Sequence, residues 1–134
     1  MTERHLDATE AVIRLSYPRV YATPDGASHF EDIAVSMAPV VDVTGIPLVD
    51  VATTEQVTAL RFSRLEAGWT TDWHPAPRRQ FILALTGAIE VTVTDGETRC
   101  FGPGSVFLVE DTTGTGHKSR AVGSEDCVFI TVAY

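Results

Sequence analysis

The sequence lacks long apolar runs, clustered basic residues and the short motifs of nucleotide-binding or serine-nucleophile enzymes. No stretch approaches the apolar length that is needed to cross a bilayer. The N-terminal residues have no basic segment followed by an apolar run, so we expect no signal peptide. Ten Lys and Arg against 18 Asp and Glu give a net charge of -8, which argues against a nucleic-acid partner. No G-x-S-x-G, Walker or dinucleotide-binding sequence is present.

Cysteine is also scarce, with only Cys100 and Cys127. Two cysteines make neither a disulfide framework nor a zinc-type cluster. Both lie in strand-like runs, so we expect reduced thiols that face the core. Reduced thiols and the absence of a signal sequence together predict a cytoplasmic location.

What the sequence does have is many turn signals separated by short segments rich in Val, Ile, Thr and Phe. This pattern indicates an all-β sandwich or barrel, and 134 residues fit one domain. In residues 88–93, apolar side chains alternate with Glu and Thr, and Asp95-Gly96 then predicts a hairpin turn. The turn signals lie at 24–26, 44–47, 94–96, 102–104, 112–116 and 122–126.

Further strands are predicted on both sides of this hairpin. Residues 56–68 form one candidate strand, and residues 105–110 and 127–134 are typical of more deeply buried strands. Only residues 6–14 have a pattern compatible with one or two helical turns. Residues 37–55 are rich in proline and irregular, so we expect them to wrap the barrel as a long arm.

The segment GWTTDWHPAPRRQFILALTG places Gly68, His74, Gln80 and Gly87 at defined intervals. In its spacing it resembles the first motif of the cupin family, G-x5-H-x-H-x3-E-x6-G. The second histidine of that motif is replaced by Ala76, and its glutamate is replaced by Gln80.

The second cupin motif, G-x5-P-x-G-x2-H-x3-N, is matched more loosely. Gly104 is followed after five residues by Glu110 in place of the proline, His117 comes two residues late, and Ala121 stands where the asparagine is expected. The two motifs cover roughly residues 60–134. The wider WHPAPRRQ and EDTTGTGH segments are similar to those of small bacterial single-domain cupins.

This resemblance implies one cupin domain over residues 1–134, a jelly-roll-like β-barrel with an N-terminal arm. Strands and the arm are expected over residues 1–55 and the barrel over 56–134. The resemblance also implies a homodimer, because cupins commonly pair through exchanged edge strands.

For the site, the resemblance implies a metal held by three histidines and one glutamate. This chain keeps His74 and His117, Ala76 cannot ligate, and Gln80 offers only a neutral amide oxygen. We therefore expect no cofactor. The alternative is one divalent metal, such as Fe, Zn or Ni, on His74, His117 and Gln80.

Without a metal, two imidazoles that share a cavity are equipped for proton transfer, with one as base and the other as acid. Gln80 is then placed to donate a hydrogen bond to a carbonyl or enolate oxygen, and Ala76 leaves room for a ligand atom. We predict a small-molecule enzyme that catalyses isomerisation, cyclisation or elimination through His74 and His117. The alternatives are a metal-dependent cupin oxygenase and a non-catalytic metabolite-binding cupin.

Two further substrate-binding candidates are Arg78 and Phe107. Strand parity places Arg78 with His74, Ala76 and Gln80, where it is expected to anchor a substrate carboxylate or phenolate at the cavity mouth. The alternative is that Arg78 and Arg79 both lie on the solvated surface or in an interface. Phe107, with Trp73 and Phe81, is a candidate for the aromatic lining. Whether four other side chains join the site stays open at this point, and these are His29, Asp32, Glu110 and Asp111.

Overall fold

The computed structural model describes residues 15–39, 50–51 and 55–134. Regular structure in these ranges consists of strands, and no helix within them is long and apolar enough to cross a membrane. The strands are β1 (Leu15–Ala22), β2 (Ser28–Val35), β3 (Ala38–Pro39), β4 (Asp50–Val51), β5 (Ala59–Leu65), β6 (Gln80–Thr86), β7 (Ala88–Thr92), β8 (Thr98–Phe101), β9 (Val106–Val109), β10 (Lys118–Val122) and β11 (Cys127–Ala133).

Two sheets carry most of the fold. The larger has six strands in the order β2-β1-β9-β6-β11-β5, and the smaller has three in the order β10-β7-β8. Strands β3 and β4 form a separate two-stranded ribbon. Strand β1 pairs in parallel with β9, whereas the other pairs are antiparallel. The N-terminal hairpin β1–β2 is therefore part of the large sheet, beside the strand that leads to His117.

The apolar core lies between the two sheets. Strand β7 illustrates this arrangement. Its residues Ile89 and Val91 are buried in the core, and Glu90 and Thr92 alternate with them on the other face. From the large sheet, Val20, Phe107 and Val109 belong to the same buried cluster. Phe107 stacks on Phe101 of the small sheet with 4.1 Å between ring centroids. The predicted all-β, jelly-roll-like class is confirmed.

The strands predicted over 56–68, 88–101, 105–110 and 127–134 are present, as β5, β7–β8, β9 and β11. The turn of the β7–β8 hairpin spans 93–97, with Gly96 in the left-handed region at φ 96°. The helical turns expected over 6–14 lie outside the described residues, as do residues 40–49 and 52–54 of the predicted arm.

The core-facing position predicted for both thiols is correct for Cys127 and wrong for Cys100. Cys127 is fully buried in β11, whereas Cys100 is exposed on β8. The reason is strand parity, since Phe101 points into the core and its neighbour must point outward.

The tip of the β1–β2 hairpin is fastened to the loop that precedes β10. The Ser28 hydroxyl is buried and donates to the carbonyl oxygen of Gly116 at 2.7 Å, and the Thr115 N–H donates to the Gly26 carbonyl at 3.0 Å. The two backbones come so close that a Cβ on Gly114 would lie 2.7 Å from the Gly26 oxygen. The N-terminal hairpin thus helps to set the position of the loop that delivers His117.

Candidate functional site

A cavity of about 230 Å³ opens between the two sheets. Among the described residues, its polar lining consists of His74, Gln80, His117 and Ser119, and the other lining residues are apolar. Gln80 is the first residue of β6 and faces inward, opposite Val109 of β9. Ser119 lies in β10, one residue beyond the start of that strand. Side chains from both sheets therefore meet in one small space.

His74 and His117 are brought together by the main chain. The N–H of His74 donates to the His117 carbonyl at 2.9 Å, and the N–H of His117 donates to the His74 carbonyl at 3.0 Å. The centroids of the two imidazole rings are 4.7 Å apart. His117 is only 6% exposed, and His74 is half-buried. The structure therefore places both imidazoles side by side in the wall of one cavity.

Hydrogen bonds at Nδ1 define the tautomer of His74. Its Nδ1 lies 2.9 Å from the carbonyl oxygen of Asp72. Because a carbonyl only accepts, Nδ1 must carry the proton, and the neutral ring has its lone pair on Nε2. Among contacts between described residues, this Nε2 has no hydrogen-bond partner.

His117 has a different partner at the same position. Its Nδ1 lies 2.5 Å from Oδ2 of Asp111, whose side chain is fully buried. A carboxylate at Nδ1 holds the proton on that nitrogen, leaves Nε2 as the free base, and stabilises the imidazolium that forms when Nε2 is protonated. The second oxygen, Oδ1, is buried without a partner among the described residues. Asp111 thus contributes to the site through its contact with Nδ1 of His117.

Gln80 brings an unpaired amide into the cavity. The side chain is 8% exposed, and its Oε1 is buried without a hydrogen-bond partner among the described residues. An unsatisfied buried polar group costs roughly 1–3 kcal/mol, so the amide is primed to pair with a ligand. Ala76 is 3% exposed and also lines the cavity. Its methyl group leaves space next to the imidazoles.

These residues do not fit the metal site that the family resemblance implies. Two neutral imidazoles and one neutral amide oxygen supply no negative charge to a divalent ion. The nearby carboxylate, Asp111, is engaged with Nδ1 of His117. Within residues 15–39 and 55–134, no group of three or more His, Cys, Asp or Glu side chains converges on a point. Ala76 and Gln80 thus remove two ligands without a replacement in this part of the chain.

The apolar lining contains three aromatic rings, Trp69, Phe107 and Phe129. The prediction that Phe107 faces the cavity agrees with its place in this wall. Trp69 is 37% exposed and lies at the boundary between the cavity and solvent. The sequence reasoning missed it and named Trp73 and Phe81 instead, neither of which is among the lining residues that the structure describes. In the sequence, the one feature that sets Trp69 apart is that it directly follows Gly68, which the structure shows to be a turn glycine with φ 86°.

The structure does not group Arg78 with His74, Ala76 and Gln80, as strand parity predicted. Arg78 is exposed and lies outside the cavity lining. Strand parity does not apply to it, because Pro75 and Pro77 fall in an irregular segment and β6 begins only at Gln80. Its neighbour Arg79 has a defined role on the outer surface. It pairs with Glu110 at 2.6 Å and lies 4.2 Å from the ring centroid of Tyr134.

Three of the four side chains left open by the sequence lie elsewhere. Glu110 pairs with Arg79, and His29 contacts Asp95 at 3.1 Å beside the β7–β8 turn. Asp32 pairs with Arg99 at 2.7 Å. These contacts join the N-terminal hairpin to the rest of the domain.

Comparison with solved structures returns cupin barrels at low sequence identity. A cupin 2 conserved barrel domain protein from Salinispora arenicola is 16% identical, with 75% of each chain covered and a TM-score of 0.46. The Cnp3 cupin domain of Schizosaccharomyces pombe is 18% identical, covers 91% of this chain and 86% of its own, and has a TM-score of 0.47. A sugar phosphate isomerase from a cupin superfamily of Silicibacter pomeroyi is 18% identical, with 96% and 74% covered and a TM-score of 0.46.

No curated protein shows a significant match to the chain. The family model described as a cupin domain matches residues 61–133, which is more than half of the 134 residues. The match includes every cavity-lining residue named above, from Trp69 in the turn to Phe129 in β11. This protein is a member of the cupin family.

Proposed function

We propose that the protein is a small-molecule enzyme that moves a proton within its substrate, with His74 and His117 as the acid–base pair. The observation that carries this proposal is the pairing of two adjacent imidazoles with different Nδ1 partners, a neutral carbonyl for His74 and a buried carboxylate for His117. Groups of the same type in different environments are the usual basis for separate acid and base roles.

In the proposed reaction, Nε2 of His117 removes a proton from a carbon next to a substrate carbonyl. The electron pair of the broken C–H bond forms a C=C bond. The carbonyl oxygen takes a proton from Nε2 of His74, which must first have bound a proton from solvent on that atom. Asp111 stabilises the imidazolium on His117. The amide of Gln80 donates a hydrogen bond to the developing enolate oxygen. In the return step, the enol O–H gives its proton back to Nε2 of His74, and Nε2 of protonated His117 delivers its proton to the γ carbon of a β,γ-unsaturated carbonyl substrate. The carbonyl re-forms, the double bond moves into conjugation with it, and no co-reactant is needed.

Cyclisation and elimination use the same first step and differ only in what the enolate attacks or expels. The oxygenase alternative requires a metal, and the donor set of His74, His117 and Gln80 does not favour it. A non-catalytic binding role would use the same cavity, but it would not require different Nδ1 partners for the two histidines. The proposal therefore depends on that asymmetry.

The test is turnover of candidate carbonyl compounds, followed by solvent deuterium exchange into the substrate. His74→Ala and His117→Ala are each expected to reduce turnover by roughly 100-fold or more, which is typical for loss of a general acid or base. The double variant is expected to lose less than the product of the two, because the residues act in one step. Near wild-type turnover in both single variants rules out the mechanism and favours the binding module.

We also propose that the protein acts as a homodimer in the cytoplasm. Edge strand β5 supports the dimer, because Leu60 is 60% exposed and Phe62 is 69% exposed on it. Large apolar side chains on an open edge favour a covering partner. The molar mass in solution, measured by light scattering, tests this proposal.

A further inference from the structure

We propose that the cavity selects uncharged, planar compounds that carry one hydroxyl or carbonyl oxygen, and that it rejects carboxylates and phosphates. This inference rests on the proposed function for the identity of the reacting end. It adds the substrate class, which follows from the shape and the charge of the lining.

Shape is set by the aromatic side chains. Trp69, Phe107 and Phe129 line the cavity, and Phe107 is held in place by stacking on Phe101. Aromatic walls favour flat ligands, because stacked rings gain contact area at little entropic cost. The cavity volume, about 230 Å³, is below the roughly 300–1,000 Å³ of pockets for drug-sized ligands. A compound with a single ring is therefore the expected size.

Charge is excluded by what the lining contains. Within the described ranges, no Lys, Arg, Asp or Glu belongs to the cavity wall. Of the nearby cations, Arg79 pairs with Glu110 at 2.6 Å and Arg120 pairs with Glu90 at 2.8 Å. Arg78 is exposed and is not among the lining residues. Lys118 lies 5.1 Å from the ring centroid of Trp73. While both imidazoles are neutral, an anionic ligand in the cavity would thus be desolvated without a matching cation, which is strongly unfavourable.

The polar end of the cavity matches a single neutral oxygen. Oε1 of Gln80 is buried without a partner among the described residues, and the same amide carries an NH₂ donor. Each neutral imidazole adds an Nε2 that accepts, because its Nδ1 holds the proton. A hydroxyl group can donate to one of these acceptors, and a carbonyl oxygen can accept from the NH₂ group of Gln80, in both cases without bringing a charge. The rest of the ligand then contacts aliphatic side chains such as Ile82, Ile89 and Val91.

Two ring compounds of nearly equal size test the inference directly. Acetophenone is neutral and carries one carbonyl oxygen, whereas benzoate carries a carboxylate at pH 7. Titration of the full chain with each compound, followed by amide chemical shifts in NMR spectra, gives the affinity and the location of binding. We expect shifts at the cavity residues for the ketone and at least about 100-fold weaker binding of the carboxylate, since each 1.4 kcal/mol of lost binding free energy is tenfold in affinity.

A designed cation provides the converse test. Ser119 lines the cavity, and its hydroxyl makes no hydrogen bond with the described residues. Ser119→Lys is expected to strengthen binding of benzoate by at least about tenfold, because it supplies the missing counter-charge. Ser119→Gln is the matched control: it adds a long neutral side chain, so it is expected to give no gain in affinity for benzoate.

The outcomes separate this inference from the proposed function. Equal or tighter binding of the carboxylate by the wild-type protein overturns the inference, and so does binding of neither compound in the cavity. If the ketone binds selectively while His74→Ala and His117→Ala leave turnover of the true substrate unchanged, the proposed function fails and the selectivity stands. Should Ser119→Lys fail to fold, the wild-type titrations decide the question alone.

Discussion

His74 and His117 form a reciprocal pair of backbone hydrogen bonds, with N–O distances of 2.9 and 3.0 Å, while their side chains face the same cavity. Main-chain atoms therefore hold the two imidazoles together. Replacing either side chain leaves these backbone bonds available. Substitutions in the pair consequently report on chemistry more than on folding.

Asp111→Asn is expected to change the tautomer of His117. An asparagine can turn its NH₂ group toward Nδ1, which then accepts, so that the ring proton moves to Nε2 and the base is lost. We expect nitrogen NMR of the ring to show this change, with turnover reduced by at least about 100-fold.

The control for that variant is Asp72→Asn, because His74 uses the backbone carbonyl of Asp72 and not its carboxylate. We expect it to leave both ring tautomers as in the wild type. An Nε2–H tautomer of His117 in the wild-type protein would contradict the assignment, as would an unchanged tautomer in Asp111→Asn.

Gly116→Ala is expected to disrupt the site through the backbone. Gly116 has φ 77°, and a Cβ at this position would overlap the carbonyl carbon and oxygen of His74. The variant must either strain the backbone or separate the two segments that carry His74 and His117, and we expect a loss of at least about 2 kcal/mol in the free energy of unfolding. Gly102→Ala is the control, since its Cβ meets no atom within 4 Å and its φ is not positive. Urea unfolding curves compare the two, and equal midpoints would show that the loop adapts.

Purified protein is expected to hold at most substoichiometric first-row metal, and a chelator is expected to leave its folding intact. The reason is the neutral donor set of His74, His117 and Gln80. Reinstalling the family ligands in Ala76→His/Gln80→Glu is expected to create tight Co²⁺ binding with visible absorption bands, and Ala76→His alone serves as the intermediate control. One tightly held metal per wild-type chain, with activity lost on chelation, would instead support the oxygenase alternative.

The two thiols are expected to differ sharply in reactivity. Burial raises the pKa of the Cys127 thiol, so even less thiolate forms at neutral pH than for an ordinary cysteine. Cys100 is exposed. Alkylation of the native protein at pH 8 should therefore modify one thiol per chain, and denaturant should release the second. In Cys100→Ser we expect almost no modification of the native protein, and rapid labelling of that variant would contradict the buried position of Cys127.

Sequence reasoning succeeded where periodicity or motif spacing carries the information. The interval from His74 to Gln80 located one side of the cavity, and alternation in residues 88–93 predicted β7 together with its hairpin. It failed at Arg78 because the period of two holds only inside a strand, and two prolines interrupt the chain before β6.

Asp111 and Trp69 show what the sequence could not settle. Asp111 and Glu110 are adjacent acidic residues, and only the three-dimensional path directs one toward His117 and the other toward Arg79. Trp69 and Trp73 present the same ambiguity, because their separation on an irregular segment defines no common face. Such choices depend on long-range packing and not on local pattern.

The hydrogen bond from Ser28 to the Gly116 carbonyl limits how far the protein can be truncated from its N-terminal side. The family match begins at residue 61, yet the loop before His117 is fastened to a hairpin that ends at residue 35. A fragment trimmed to the family boundaries would retain the cavity-lining residues that the structure describes, but it would lose one support of the loop that delivers His117. The smallest piece able to keep this geometry therefore begins ahead of β1, upstream of both recognised motifs.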